Sequence, residues 1–133
     1  MKILIATSAV LLIAGTIFAA ETAKTTTVKG YVLDSACAFT KGLKKPISAE
    51  CAVACAKGGS PLVILGHEVK SGHGITVGQS SEMIYWPIAD TTPSSSQNDK
   101  LLPYAGKNVI VSGKLYERGG SNAIVISNIE EAK

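Results

Sequence analysis

Alternation of apolar and polar residues is the clearest pattern along the chain. In the stretch TTTVKGYVLD, Val28, Gly30 and Val32 fall on one face and the residues between them fall on the other. This alternation predicts a half-buried strand with a bend at the glycine. The later run PLVILG is continuously apolar, which predicts a strand that is covered on both sides.

The second half of the chain also has mostly strand patterns. The segments ITVG and MIYWPI have strand composition, and Pro87 predicts an edge position for the second because proline cannot donate to a ladder. The segment KNVIVSGKLYERGGSNAIVISNIE predicts a hairpin, with strands near residues 108–116 and 122–129 and a glycine-containing turn. Residues 90–100 are polar and turn-rich, which predicts an exposed loop, and LLPYAG after them predicts a turn or short helix.

One segment, SAECAVACAKGG, has the end signals of a helix. Ser48 is a suitable N-cap, and Gly58 with Gly59 can end the helix. In that register Cys51 is the third helical residue, and Cys55 lies one turn later on the same face. The chain is therefore predicted to be all-β with one short helix.

The first 20 residues differ in composition from the rest of the chain. Lys2 precedes an uncharged apolar run that ends at Phe18 and is followed by small residues. This composition predicts a secretory signal peptide over residues 1–20. The run is shorter than the roughly 20 apolar residues that span a bilayer, although an uncleaved anchor is the alternative. We therefore expect one domain, residues 21–133, that is periplasmic or secreted and not membrane-bound after cleavage.

Charge and motifs exclude several functional classes. The net charge is only +3, and the charged residues are scattered apart from Lys41, Lys44 and Lys45, which is too weak a pattern for a nucleic-acid-binding surface. No pair of carboxylates, no nucleophile with a histidine and no glycine-rich phosphate loop stands out. We therefore expect a non-enzymatic domain whose partner is a protein or a small ligand.

The candidate chemistry lies in the three cysteines, Cys37, Cys51 and Cys55. Thiols outside the cytosol are usually oxidised or bound to metal. Residues four apart on a helix have Cβ atoms about 5–6 Å apart, whereas a disulfide needs about 3.5–4.5 Å, so a bridge between Cys51 and Cys55 would be strained. The same spacing allows two thiolates to bind one ion from adjacent turns.

Several interpretations of the cysteines remain open. A disulfide from Cys37 to one of the helical cysteines would join the first strand to the helix and contribute about 3 kcal/mol in the chain-entropy model. Alternatively, the three sulfur atoms bind a soft metal ion, copper or zinc, with His67 or His73 of a glycine-rich turn as a fourth ligand. His67 is the preferred candidate. A thiol–disulfide redox role, or three buried and inert cysteines, would also fit the sequence.

Three motifs together resemble a group of uncharacterised small exported bacterial proteins. They are VKGYVLDSACA, ECAVACAKGGSPLVIL and LPYAGKNVIVSGKLY, and they cover most of residues 21–133. The resemblance implies a small OB-fold-like barrel with a cysteine-bearing helix after the first strand, and the order of predicted elements fits that fold. Many members of the group have a histidine four residues after the first cysteine, where this chain has Lys41. The resemblance therefore implies either a metal site with one ligand replaced or a different use of the cysteines.

Overall fold

The computed structural model describes residues 23–71, 76–77 and 82–133. The predicted signal peptide and His73 lie outside the described residues. The strands are β1 (Lys24–Asp34), β2 (Leu62–Ser71), β3 (Thr76–Val77), β4 (Met83–Pro87), β5 (Asn108–Arg118) and β6 (Ser121–Glu131). The helices are α1 (Ser35–Thr40), α2 (Ala49–Lys57) and α3 (Asn98–Leu101), with 3-10 helices at Gly42–Lys44 and Leu102–Tyr104.

Five strands close into a barrel. The hydrogen-bonded order is β1, β5, β6, β4, β2, and β2 pairs again with β1 to complete the ring. The pairs are antiparallel except for β4 with β6, and β3 extends the sheet beside β2. This order, with the 3-10 helix at Leu102–Tyr104 where LLPYAG predicts a turn or short helix, confirms the predicted small OB-like barrel.

Apolar side chains on the inner faces of the strands fill the barrel. Val28 and Val32 of β1 are fully buried, as the alternation predicts. Tyr85 of β4 is also in this core, and burial raises its pKa to about 12. The core cluster consists of Val28, Val32, Leu62, Ile64, Tyr85, Leu101, Val109, Val111 and Ile124.

The predicted bend in β1 is present at Gly30. Gly30 pairs with Gly66 whereas Lys29 pairs with Glu68, so His67 is the extra residue of a bulge in β2. A Cβ atom at Gly30 would collide with the backbone of β2. The close approach of the two strands therefore requires glycine at this position.

The outer face of β2 is covered, which confirms the second strand prediction. Val63 and Leu65 point away from the barrel core and are buried in a separate cluster with Leu33 and Ala38. Leu43 and Ile47, which lie between β1 and β2 in the chain, pack against this cluster. The segment of residues 35–61, called here the cysteine-bearing segment, thus forms an outer layer over β2.

The hairpin at the end of the chain is also confirmed, with strands longer than predicted. Gly119 and Gly120 form its turn, with φ of 56° and 81°. Positive φ at both central positions is typical of the turns that match the twist of paired strands.

The position of Pro87 differs from the prediction. β4 lies between β2 and β6, so the predicted edge position is wrong. Pro87 is the last residue of β4 and pairs with Ile124 in the parallel ladder. Proline is tolerated there because the strand ends at this residue, so few ladder bonds depend on its nitrogen.

The predicted exposed loop of residues 90–100 is only partly confirmed. Gln97 is buried and α3 begins at Asn98, so the last part of the loop is structured. The Asn98 side chain accepts from the Leu62 N–H at 2.9 Å and donates to the Ser60 carbonyl at 2.8 Å, which holds the start of β2. The sequence predicts a single short helix, whereas the structure also contains α1 and α3. Helices this short have too few turns to show a hydrophobic periodicity in the sequence.

No helix in the described part of the chain is long and apolar enough to cross a membrane.

Candidate cysteine site

The predicted cysteine-bearing helix is confirmed as α2. The Cys51 N–H donates to Ser48 Oγ at 3.2 Å, so Ser48 is the N-cap and Cys51 is the third helical residue. Cys51 is exposed and Cys55 is half-buried. Ala49, at the start of α2, lies against Gly106 of the barrel, where no side chain would fit.

Cys37 is placed by a helix that begins directly at the end of β1. Asp34, the last residue of β1, is the N-cap of α1, and its Oδ1 accepts from the Cys37 N–H at 3.1 Å. This cap fixes Cys37 within the first turn of α1. The hydrophobic pattern of the sequence predicts no regular structure in this region.

A small pocket separates α1 from the start of α2. It has a volume of about 70 Å³, and both Cys37 and Cys51 line it. Asp34 also lines this pocket, and Lys41 and Lys45 complete its polar wall. The structure therefore places cysteines from both helices at one pocket.

The three thiols and the carboxyl group of Asp34 also interact electrostatically. The pKa of Cys37 is raised. The largest cause is the interaction of its thiol with the Asp34 carboxyl group, and burial and the negative charge of Asp34 raise the pKa further. Burial raises the pKa of Cys55, and the charge of Asp34 and the thiol of Cys51 raise it further. The charge of Cys51 also raises the pKa of Cys37. We call Asp34, Cys37, Cys51 and Cys55 the cysteine cluster.

Asp34 is a member of this cluster that was not among the predicted site residues. Only 2% of its surface is exposed. Its Oδ2 is buried and makes no hydrogen bond within the described part of the chain. An N-cap residue immediately before a cysteine-bearing turn, as in DSAC, is the signal that could have identified it.

His67, the candidate fourth ligand, is not part of the pocket that contains Cys37 and Cys51. It belongs to β2, not to the glycine-rich turn in which it was predicted. Its Nε2 is 3.3 Å from Asn108 Oδ1, and its ring lies 5.7 Å from the ring of Tyr31. His67 does not line the pocket between Cys37 and Cys51.

All three cysteines are free thiols in this structure. Among the residues described, no three side chains of His, Cys, Asp or Glu form a group with metal-binding spacing. The donor types present around the pocket are nevertheless thiol sulfur and carboxylate oxygen, both of which are zinc ligands in proteins. The buried, unpartnered Oδ2 of Asp34 is better suited to contact with a cation than to contact with apolar groups.

Comparison of the chain with protein-family models, with curated proteins and with solved structures gives no match.

Proposed function

We propose that this protein is an exported, non-enzymatic binding domain that binds a soft metal ion, copper or zinc, through Cys37, Cys51 and Cys55. The observation that supports the proposal is the arrangement of two short helices that bring thiols from separate parts of the chain to one pocket. Cys55 joins them through its interactions with Cys51 and Asp34.

The chemistry of the ligands limits the choice of metal. Thiolate sulfur prefers copper(I) and zinc to hard ions such as magnesium or calcium. Binding releases the thiol protons, because the thiolate is the ligand.

A disulfide-stapled interaction module is the second candidate. Cys37 and Cys51 line the same pocket, which favours a bridge that joins α1 to α2. Such a bridge would leave Cys55 as the spare thiol. The partner, a protein or small ligand, would then bind beside Phe39 of α1, which is 66% exposed.

The experiment that separates these candidates is thermal unfolding of the wild type and of three single variants, Cys37→Ser, Cys51→Ser and Cys55→Ser. Each is measured with zinc, with copper(I) and with chelator, and native mass spectrometry counts the bound ions. If metal binds, the wild type gains about 2.7 kcal/mol of stability at a ligand concentration 100 times Kd. Each variant should lose most of this gain.

The matched control is His67→Ala, which removes the histidine outside the pocket. Retention of metal binding in this variant would show that the cysteines suffice, and loss would make His67 the fourth ligand. Metal-independent melting of all the proteins, with Cys55→Ser as stable as the wild type, would overturn the metal proposal and favour the staple.

A further inference from the structure

We propose that Asp34 supplies an oxygen ligand to the metal site through Oδ2, and that the site therefore prefers a divalent ion of the zinc class to copper(I). This inference rests on the proposed metal-binding function.

The two carboxylate oxygens of Asp34 have different surroundings. Oδ1 accepts the hydrogen bond from the Cys37 N–H and thereby caps α1. Oδ2 is buried and accepts no hydrogen bond from any described residue. A carboxylate oxygen without a partner is costly to bury, so a position like this needs a cation or a proton.

The lysines beside the pocket do not fill this role. Lys41 and Lys45 line the same pocket as Asp34. Neither gives Oδ2 a hydrogen bond. The lysines therefore do not supply the partner of Oδ2. The side chain that interacts most with the Asp34 carboxyl group is the Cys37 thiol, whose proton metal binding would release.

Asp34 also lies beside thiols of the proposed site. It shares the pocket with Cys37 and Cys51, and its charge also reaches Cys55. Asp34 therefore adds a carboxylate oxygen beside two of the three proposed sulfur ligands, and a bound ion would have to draw these side chains closer together than they lie in this structure. Zinc accepts mixed sets of sulfur and oxygen donors with four ligands, whereas copper(I) is served by soft sulfur donors alone.

The test compares zinc and copper(I) binding to reduced wild type and to Asp34→Asn. Asparagine keeps the helix cap, because its side-chain carbonyl can accept from the Cys37 N–H, but it replaces Oδ2 by an amide group. We expect zinc affinity to fall by about tenfold or more in this variant, with little change in copper(I) affinity.

Cobalt(II) provides a spectroscopic measurement of the same site. The visible bands of the bound cobalt(II) report the ligand set, so they should shift in Asp34→Asn if an oxygen ligand is lost. The matched control is Asp90→Asn, which removes an exposed carboxylate that pairs with Lys114. This control should leave both affinities and the cobalt spectrum unchanged.

Folding is checked by circular dichroism of the metal-free proteins. If Asp34→Asn does not fold, Asp34→Ser replaces it, since serine is also an N-cap residue and carries no carboxylate. The same loss of zinc affinity is expected.

Equal zinc affinity in wild type and in the folded Asp34 variant would overturn the role of Asp34 and leave the proposed function in place. If the wild type binds copper(I) but not zinc, the role of Asp34 is also overturned, and the proposed function again stays in place. If neither ion binds the reduced wild type, the proposed function fails and this inference fails with it.

Discussion

At the scale of single residues, the three thiols differ in their surroundings although they belong to one cluster. Cys51 is exposed, whereas Cys37 and Cys55 are half-buried. The pKa values of Cys37 and Cys55 lie above the ordinary value of 9.0. The main cause is the Asp34 carboxyl group for Cys37 and burial for Cys55. Since the thiolate is the reactive form of cysteine, these differences determine the order in which the thiols react.

We expect Cys51 to be alkylated first when metal-free protein is treated with iodoacetamide near neutral pH. Cys37 and Cys55 should react more slowly, and their rates should still be rising above pH 9 because a raised pKa keeps the thiol protonated to higher pH. Peptide mapping by mass spectrometry at several pH values measures the three rates separately.

Asp34→Asn should lower the pKa of Cys37 and so speed its alkylation, while Asp90→Asn should not. A rate for Cys37 that equals or exceeds that of Cys51 in the wild type would contradict this assignment.

The sequence predicts part of this site but not the role of Asp34. The helix signals around Ser48 and Gly58 correctly place Cys51 and Cys55, because capping is a local property of the chain. The burial of Asp34 depends on how α1 and α2 pack at the end of β1, which involves contacts between distant residues. The sequence therefore supplies the donors, and the fold decides which of them meet.

At the scale of elements, the position of α2 on the barrel depends on one close contact. Gly106 has φ of 76°, and a Cβ atom there would collide with the backbone and side chain of Ala49. Gly59, just after α2, also has positive φ, 99°, but has open space around it. The two glycines thus separate the effect of backbone conformation from that of close packing.

We expect Gly106→Ala to destabilise the protein more than Gly59→Ala. Both changes place alanine in a left-handed conformation, which costs about 1–2 kcal/mol. Gly106→Ala adds overpacking against α2, which costs about a further 1–3 kcal/mol. Urea unfolding of both variants measures the difference, and equal destabilisation would show that α2 does not dock tightly at Gly106.

The strands are more predictable than the short helices for a physical reason. The alternation around Val28 and the apolar run of β2 each extend over several residues, so burial leaves a clear pattern. α1 has six residues and α3 has four, which gives tertiary contacts more influence than local preference. The place of Pro87 depends on pairing with β6, a strand far away in the sequence.

At the scale of the whole molecule, a residue from a helix completes the core of the barrel. Leu101, the last residue of α3, is fully buried among side chains from the strands. Phe39 of α1 is instead 66% exposed, although its ring lies 6.2 Å from that of Trp86. These two large apolar residues therefore contribute to stability in different ways.

We expect Leu101→Ala to lower the free energy of unfolding by about 2–5 kcal/mol, because it leaves a cavity in the core. The matched change Phe39→Ala should alter it by less than about 0.5 kcal/mol, because it removes a largely solvated side chain. Urea unfolding with metal-free protein measures both. A small effect of Leu101→Ala would mean that α3 is not part of the cooperative fold.

The cysteine-bearing segment leaves the barrel and returns to it at neighbouring positions. Asp34 pairs with Leu62 in the ladder between β1 and β2, and the Ser35 N–H donates to the Pro61 carbonyl at 2.9 Å. The whole segment is thus the connection of a β-hairpin, and its sequence and length can change without altering the register of the strands. The barrel can therefore act as a host for interchangeable inserts. A new insert would have to cover the outer face of β2, but it could carry an entirely different chemistry, so the scaffold and its site can evolve separately.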